Sequence, residues 1–531
     1  MSYVIRNATL VDALRNPVKT GDLSIEGSRI RSMGEHVVTN GHHTEIDGTG
    51  LTVMPGFVDM HSHSDIALIR DPSAQSKVLQ GVTLEVLGQD GLSYAPSSPQ
   101  VLKHLDEQLR GWNGPVGDLE WPFNSVGSYL ESFHRYATVN VAYLVPHGTL
   151  RLMAMNDPTS SPTRNELTEM RRLLDEALLQ GAVGMSAGLM YYPGMFSNDA
   201  ELIDLGTVLQ DHGGIFSPHH RNYGALALSS YEEMLMVGLA SGCAVHLTHA
   251  NLSFPVNEDR AADFIRLLDQ YEHQGVRISL DTYPYDAGST SLHALLPSWM
   301  HVGGAQALLE RLGSKEALER VRIEMEIEGS DGFHGIPMDW SRLVISGTGA
   351  SEDNRYAGMS IADAADADGT SAIDFVAKLL IRSQLDVNIV AHIGNESNVR
   401  RIMQDERHAF GTDGLLRGER PHPRAWGTYP RVLGRYVREL QLLTLPMAAW
   451  KMSRLPCQLL GVHDRGYLAE EAKADLVMLD ADRVQDTATY GNPRQEPVGI
   501  HYVFVSGEPV VWQGRITTHR PGESIRRSSR A

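Results

Sequence analysis

Apolar and polar positions alternate along this chain in two rhythms. From residue 1 to about 55, short β-type runs at 3–5, 23–25, 30–33 and 51–54 are separated by turns, and Asp47-Gly48 is a tight-turn signal between two of them. From Gly56 onward, apolar strands alternate with helix-like stretches such as 164–180, 231–241 and 260–274. The strand candidates are 56–60, 83–87, 139–145, 184–186, 215–218, 244–248, 278–282 and 388–391. Repeated βα units predict a parallel sheet with helical crossovers, and eight of them fit a (β/α)8, TIM-like barrel. After about residue 456 the short β runs return, at 474–479, 499–506 and 509–512.

The pattern predicts an α/β protein in three parts. Residues 1–55 and 456–531 pair as one small β-sandwich beside a catalytic barrel of residues 56–455. Residues 285–343 interrupt the barrel rhythm with the A-G-S-T-S stretch and a helical pair rich in Leu and Glu, and read as an inserted lid subdomain. The closing R-R-S-S-R-A reads as a frayed end.

Composition then narrows the function classes. Cys243 and Cys457 are the only cysteines, so neither a disulfide framework nor a thiolate zinc cluster can be built. Any metal must rely on His and carboxylate. A net charge of −19 without a basic patch argues against nucleic acid as a partner. No apolar run is long enough to span a membrane, and Arg6, Asn7 and Asp12 break up any signal-peptide core. The expectation is a cytoplasmic enzyme with a small-molecule substrate, open to forming a homo-oligomer.

The chemistry starts at T-V-M-P-G-F-V-D-M-H-S-H-S-D, residues 52–65, which delivers His61 and His63 two apart at a strand end. In a strand such residues share a face, and two imidazoles on one face can hold one metal ion. In a barrel, function sits at the C-terminal strand ends. Asp90 follows the second strand candidate, His147 ends the third, His219 and His220 the fifth, His249 the sixth and Tyr283 the seventh, and Asp413 lies in F-G-T-D-G. Chance explains any one of these, but not the series.

Several motifs carry a family resemblance: P-G-F-V-D-M-H-S-H-S-D, G-A-V-G-M-S-A-G-L-M-Y-Y-P, the H-H-R-N turn, D-T-Y-P-Y-D-A-G-S-T, and G-T-D-G followed by P-H-P-R-A-W-G-T-Y-P-R. Over nearly the whole chain the sequence resembles the D-aminoacylases, the N-acyl-D-amino-acid deacylases of the amidohydrolase superfamily. The resemblance implies a zinc ion held by His219, His249 and a residue after the second strand, with His61, His63 and Asp413 forming a second metal position. It implies Asp413 as catalytic base and Tyr283 and Arg424 as the grip on a substrate α-carboxylate. Tyr191, Tyr192, Asn251 and Ser289 are further expected substrate contacts.

Two departures matter. The family's G-N-C-G is here G-Q-D-G, so Asp90 replaces a thiolate ligand. A carboxylate is the harder ligand, which opens the site to Mn2+ or Co2+ beside Zn2+ and lets it bridge two ions. Where the family often has S-H-H-K, this chain has T-H-A-N, and Asn251 replaces a lysine that could meet an acidic substrate side chain. The expected reaction is therefore hydrolysis of N-acyl-D-amino acids with neutral or hydrophobic side chains, by one or two metal ions that lower the pKa of water toward about 7. Cyclic-amide hydrolases that bridge their metals with a lysine at the fourth strand are a rival, although 139–151 and 181–192 hold no lysine. Hydrolysis of another amide or carbamate, or a metal-free binding protein, also remains open.

Overall fold

The computed structural model describes residues 2–38 and 42–527; of the closing R-R-S-S-R-A, the last four residues lie outside that range. Eight short strands form one parallel sheet in chain order: Phe57–Asp59, Val82–Leu87, Asn140–Pro146, Gly184–Gly188, Ile215–His219, Ala244–Leu247, Ile278–Thr282 and His408–Phe410. These strands are buried along their length, apart from half-buried Ala244, which is why they read as apolar runs without alternation. The first and eighth meet to close the barrel. The Met60 N–H donates to Phe410 O at 3.2 Å, the Asp413 N–H donates to His61 O at 2.8 Å, and Ser62 and Gly414 form a parallel bridge.

Local signals set the helices. Arg164–Leu179 starts at a reciprocal capping box of Thr163 and Glu166, and Asp199–His212 starts at an Asn198 cap and ends on left-handed Gly213. Ala227–Ser241 and Ala261–His273 match the other two helical stretches within a few residues. No helix among the described residues is long and apolar enough to cross a membrane.

The eighth strand corrects the sequence reading. The expected strand at 388–391 belongs to Val387–Ala391, the centre of a separate antiparallel sheet between Gly288–Ser291 and Leu343–Thr348. A fully buried apolar run looks the same in either sheet, and the true eighth strand is only three residues long. The small sheet sits in the excursion between barrel strands seven and eight, residues 283–407, which contains the stretch 285–343 and continues past it. Leu292, Leu295, Phe333, Ile345 and Ile389 give this excursion a core of its own.

Both chain ends meet, as expected, in one β unit. Among the described residues it is a single mixed nine-stranded sheet, in which Leu476–Leu479 pairs antiparallel with Thr52–Pro55. Asp47-Gly48 does turn the chain, but the strands on either side do not pair with each other; both lie parallel to Ser2–Leu10. The chain passes from this sheet into the barrel at Gly56, whose N–H donates to Asp475 O at 2.8 Å. A Cβ at Gly56 would lie 2.3 Å from the Thr83 side chain, so no other residue fits the junction without displacement. Gly56→Ala should lower unfolding stability by about 1–3 kcal/mol, and Thr83→Ala should relieve part of that loss. Urea denaturation of the single and double variants checks this; independent, additive effects would contradict it.

Candidate metal centre and substrate cavity

The C-terminal mouth of the barrel gathers the polar residues. His61 and His63 follow the first strand, Asp90 the second, His249 the sixth and Asp413 the eighth, while His219 is the last residue of the fifth. Asp90, His249 and Asp413 all have left-handed backbone, with φ of 54°, 32° and 46°. For non-glycine residues such geometry is held against a local cost, and here it turns three side chains inward from strand ends. Gly188 makes room for the Asp90 turn, because a Cβ there would be 1.9 Å from Asp90 O.

The six side chains form two overlapping sets, His61/His63/Asp90/Asp413 and Asp90/His219/His249. Asp90 belongs to both. Its Oδ1 lies 3.5 Å from His61 Nε2 and 3.4 Å from His249 Nε2, and its Oδ2 lies 3.5 Å from both His63 Nε2 and His219 Nδ1. Asp413 Oδ1 is 3.3 Å from His63 Nε2 and 3.7 Å from His61 Nε2. His61 and His63 are 3.3 Å apart at Nε2, and His219 Nδ1 is 3.0 Å from His249 Nε2.

These spacings fit a divalent cation. Zinc bonds of about 2.0–2.1 Å place tetrahedral neighbours about 3.3–3.4 Å apart. Buried Asp90 Oδ1 and His219 Nε2 have no hydrogen-bond partner among the described residues, so Asp90 is not simply capping its own turn. Electrostatics agree. Burial would lower the His63 pKa, but the Asp413 and Asp90 carboxylates outweigh it and push it up to about 9. For Asp90, burial favours the neutral acid, yet His61, His219 and His249 hold its pKa well below the usual carboxylate range. Carboxylates that keep a buried imidazole protonated can stabilise a metal cation in the place of that proton.

Supporting groups, invisible to the sequence reading, fix these ligands. Tyr223 Oη is 2.9 Å from His249 Nδ1, leaving Nε2 for a metal. Asp281 accepts the His249 N–H at 2.9 Å and meets His246 Nε2 at 2.9 Å. Beneath the barrel closure, Lys77 Nζ lies 2.6 Å from Asp59 Oδ2 and 2.8 Å from Thr412 Oγ1, with Glu85 at 3.5 Å. Asp59 also accepts the Thr412 N–H at 2.7 Å. A charged Asp59 inside the apolar run F-V-D-M was a usable signal. Lys77, in a four-residue helix, gave none.

Arg424 forms the far side of the cavity. It is fully buried, stacks over the Tyr283 ring at 4.3 Å, and donates from Nη2 to Ser289 O at 3.2 Å. Its Nη1 pairs with Asp413 Oδ2 at 2.9 Å without hydrogen-bond alignment, and neither Nε nor Nη1 has an acceptor among the described residues. Tyr191 and Asn251 also line the cavity. The Ser289 hydroxyl is spent on Ile389 O at 2.8 Å, so Ser289 contributes its backbone. Tyr192 does not line this cavity. The sequence placed it beside Tyr191, but consecutive side chains diverge, and it faces a smaller neighbouring space. His147 pairs with Glu201, and His220 packs between Tyr223 and Tyr231.

The arrangement has close counterparts. Residues 44–511 match the model of the Amidohydrolase family. The chain is 34% identical to the N-acyl-D-glutamate deacylase of Alcaligenes xylosoxydans xylosoxydans, over 100% of this chain and 97% of that protein. It is 32% identical to the D-aminoacylase of the same organism, over 99% and 98%. A crystal structure of N-acyl-D-glutamate deacylase from Bordetella bronchiseptica, complexed with zinc and a phosphonate inhibitor that mimics the tetrahedral intermediate, superposes with a TM-score of 0.84 at 31% identity, covering 99% of each chain.

Because Asp90 serves both sets, Asp90→Ala should lose metal from both at once. Tyr223→Phe, which removes only the hydrogen bond behind His249, should weaken metal affinity by about 10- to 100-fold. Elemental analysis and chelator competition check both; full metal retention in Asp90→Ala would place the carboxylate outside the coordination shell.

Proposed function

The chain belongs to the amidohydrolase family as a metal-dependent, D-aminoacylase-like hydrolase, and from that premise we propose that it hydrolyses N-acyl-D-amino acids bearing neutral or hydrophobic side chains, using zinc. The observation that carries this reading is the buried Arg424 guanidinium, which lines the same cavity as the cluster, pairs with its Asp413, and keeps Nε and Nη1 without an aligned acceptor among the described residues. Asp413 balances the charge of Arg424 but not its hydrogen-bonding capacity, and a substrate α-carboxylate is a planar acceptor for the remaining N–H groups.

His61, His63, Asp90, His219, His249 and Asp413 would hold a divalent cation, which when bound would lower the pKa of water toward about 7 and polarise the scissile carbonyl. The chain's own residues do the rest. Asp413 is held as a carboxylate, well below its ordinary pKa, because the charges of Arg424 and His61 outweigh its burial. It takes the proton of the attacking water and returns it to the leaving nitrogen, which departs as the amine while the acyl group becomes a carboxylate. Arg424 fixes the substrate's carboxylate, and the Tyr283 ring beneath it keeps the guanidinium in place.

The side-chain preference follows from what else lines the cavity. Among its described lining residues Arg424 is the only Lys or Arg, and Asp286 would repel a second carboxylate. His334 is kept neutral by burial, its pKa lowered to about 3. The excursion supplies apolar walls from Ala294, Leu295, Phe333 and Ile393. One cation suits one carboxylate.

Asp413→Asn should lower kcat by about 10²- to 10⁴-fold on N-acetyl-D-leucine with the fold retained by circular dichroism; unaltered turnover would refute the assigned base. Arg424→Met should cost about 2–5 kcal/mol in kcat/KM for carboxylate substrates, and much less for the matching substrate amides. Equal losses on both would remove Arg424 from carboxylate recognition.

A further inference from the structure

Asp90 is the residue both metal-ligand sets share, yet its carboxylate is held differently from the imidazole of His249, which has a tyrosine behind it. Asp90 Oδ1 has no hydrogen-bond partner among the described residues, and four imidazoles lie 3.4–3.5 Å from the two oxygens. The direction of the carboxylate is therefore set by the backbone beneath it.

That backbone is the turn 88–91. Gly88, Asp90 and Gly91 have φ of 78°, 54° and 68°. A Cβ at Gly88 would lie 2.1 Å from Leu144 O, and one at Gly91 2.5 Å from Gly188 N, so the turn is wedged between strands three and four. A left-handed aspartate persists in such a place only where its surroundings over-determine it. Two side chains with no accessible surface do so. Ser186, on strand four, donates from Oγ to Gly88 O and accepts the Gly91 N–H at 3.0 Å, so one hydroxyl closes both ends of the turn. Gln89 donates from Nε2 to Met60 O at 2.8 Å and to Val86 O at 3.1 Å.

The two anchors lead to different ligand sets. Met60 precedes His61, so Gln89 ties the turn to the strand that delivers His61 and His63. Ser186 lies in register with Ser217 on strand five, just before His219, and the Leu189 N–H donates to His219 O at 2.8 Å. Without the Ser186 hydroxyl, the Gly91 N–H and Gly88 O lose that partner in a dry interior, and the turn must shift to pair them again.

We propose that Ser186 and Gln89 are positioning residues for Asp90, holding its carboxylate where each oxygen meets one imidazole of each set. Ser186 references it to the His219/His249 side and Gln89 to the His61/His63 side. This rests on the metal-hydrolase reading of the cluster and deepens it. Ser217 supplies the matched control, because its hydroxyl is equally buried and bonds to no part of the turn.

Titration of metal-free enzyme with Co2+, read by visible absorption and by chelator competition, tests this without turnover. Ser186→Ala should weaken Co2+ binding by about tenfold or more and shift the absorption bands, because the ligand field follows the direction of the carboxylate. Gln89→Met, which keeps the side-chain length and loses both donations, should do the same, and it carries the test should Ser186→Ala not fold. Ser217→Ala should bind Co2+ as the wild type does. The melting temperatures of the metal-free forms report packing separately. A Ser186→Ala and a Gln89→Met that melt lower yet keep wild-type Co2+ affinity and spectrum would overturn the positioning roles, as would a loss in Ser217→Ala equal to theirs. A wild type that takes up no Co2+ would instead sink the metal-hydrolase reading, and the positioning roles with it.

Discussion

The architecture depends on a closure made by buried charge. Strands one and eight of the barrel are three residues each, too short to hold the seam by ladder hydrogen bonds alone. Asp59, Lys77 and Glu85, all essentially inaccessible, supply the rest, with Thr412 hydrogen-bonded to both Asp59 and Lys77. Burial by itself would lower the Lys77 pKa, but the two carboxylates raise it, so the lysine stays charged. Removing one member of such a group strands the others in a dry interior, typically at a cost of about 3–5 kcal/mol. The seam carries function as well as fold: His61 and His63 leave from one side and Asp413 from the other, and the Asp413 N–H bonded to His61 O locks the two halves together.

Above that seam, Asp90 organises the chemistry. One carboxylate faces four imidazole nitrogens at 3.4–3.5 Å, two on each oxygen. The substitution of carboxylate for thiolate thus leaves the position at the centre of the cluster. A carboxylate has two ligand atoms, and here each oxygen lies beside one imidazole of each set.

The cavity is built jointly by barrel and excursion. Barrel strand ends contribute the cluster and Tyr283, the segment after strand eight contributes Arg424, and residues 283–407 contribute the opposite wall. His334, on the excursion, accepts the Tyr223 N–H at 3.2 Å while Tyr223 supports His249, so the substrate-facing wall reaches a metal ligand through one tyrosine. The metal-ligand cluster and the apolar wall therefore lie on different parts of the chain, joined at a few contacts. Such a division lets one barrel mouth serve substrates of different shape.

The sequence alone determined the alternation of strands and helices, the return of both chain ends to one β unit, and the polar residues at strand ends. Each follows from local rules: periodicity, capping, and the fixed direction of parallel strands. His61, His63, Asp90, His219, His249 and Asp413 were legible because a strand end limits where a side chain can point. Arg424, Tyr283 and the thiolate-to-carboxylate exchange at Asp90 were legible through the family resemblance. Only the tertiary structure decided which apolar run is the eighth strand, since 388–391 and 408–410 differ in partners and not in pattern. It alone moved Tyr192 out of the cavity and turned Lys77, which reads as a surface lysine, into a buried counter-ion. Pattern along the chain fixes which face a residue takes, whereas burial and pairing depend on contacts between segments hundreds of residues apart, such as Lys77 with Thr412, 335 positions away.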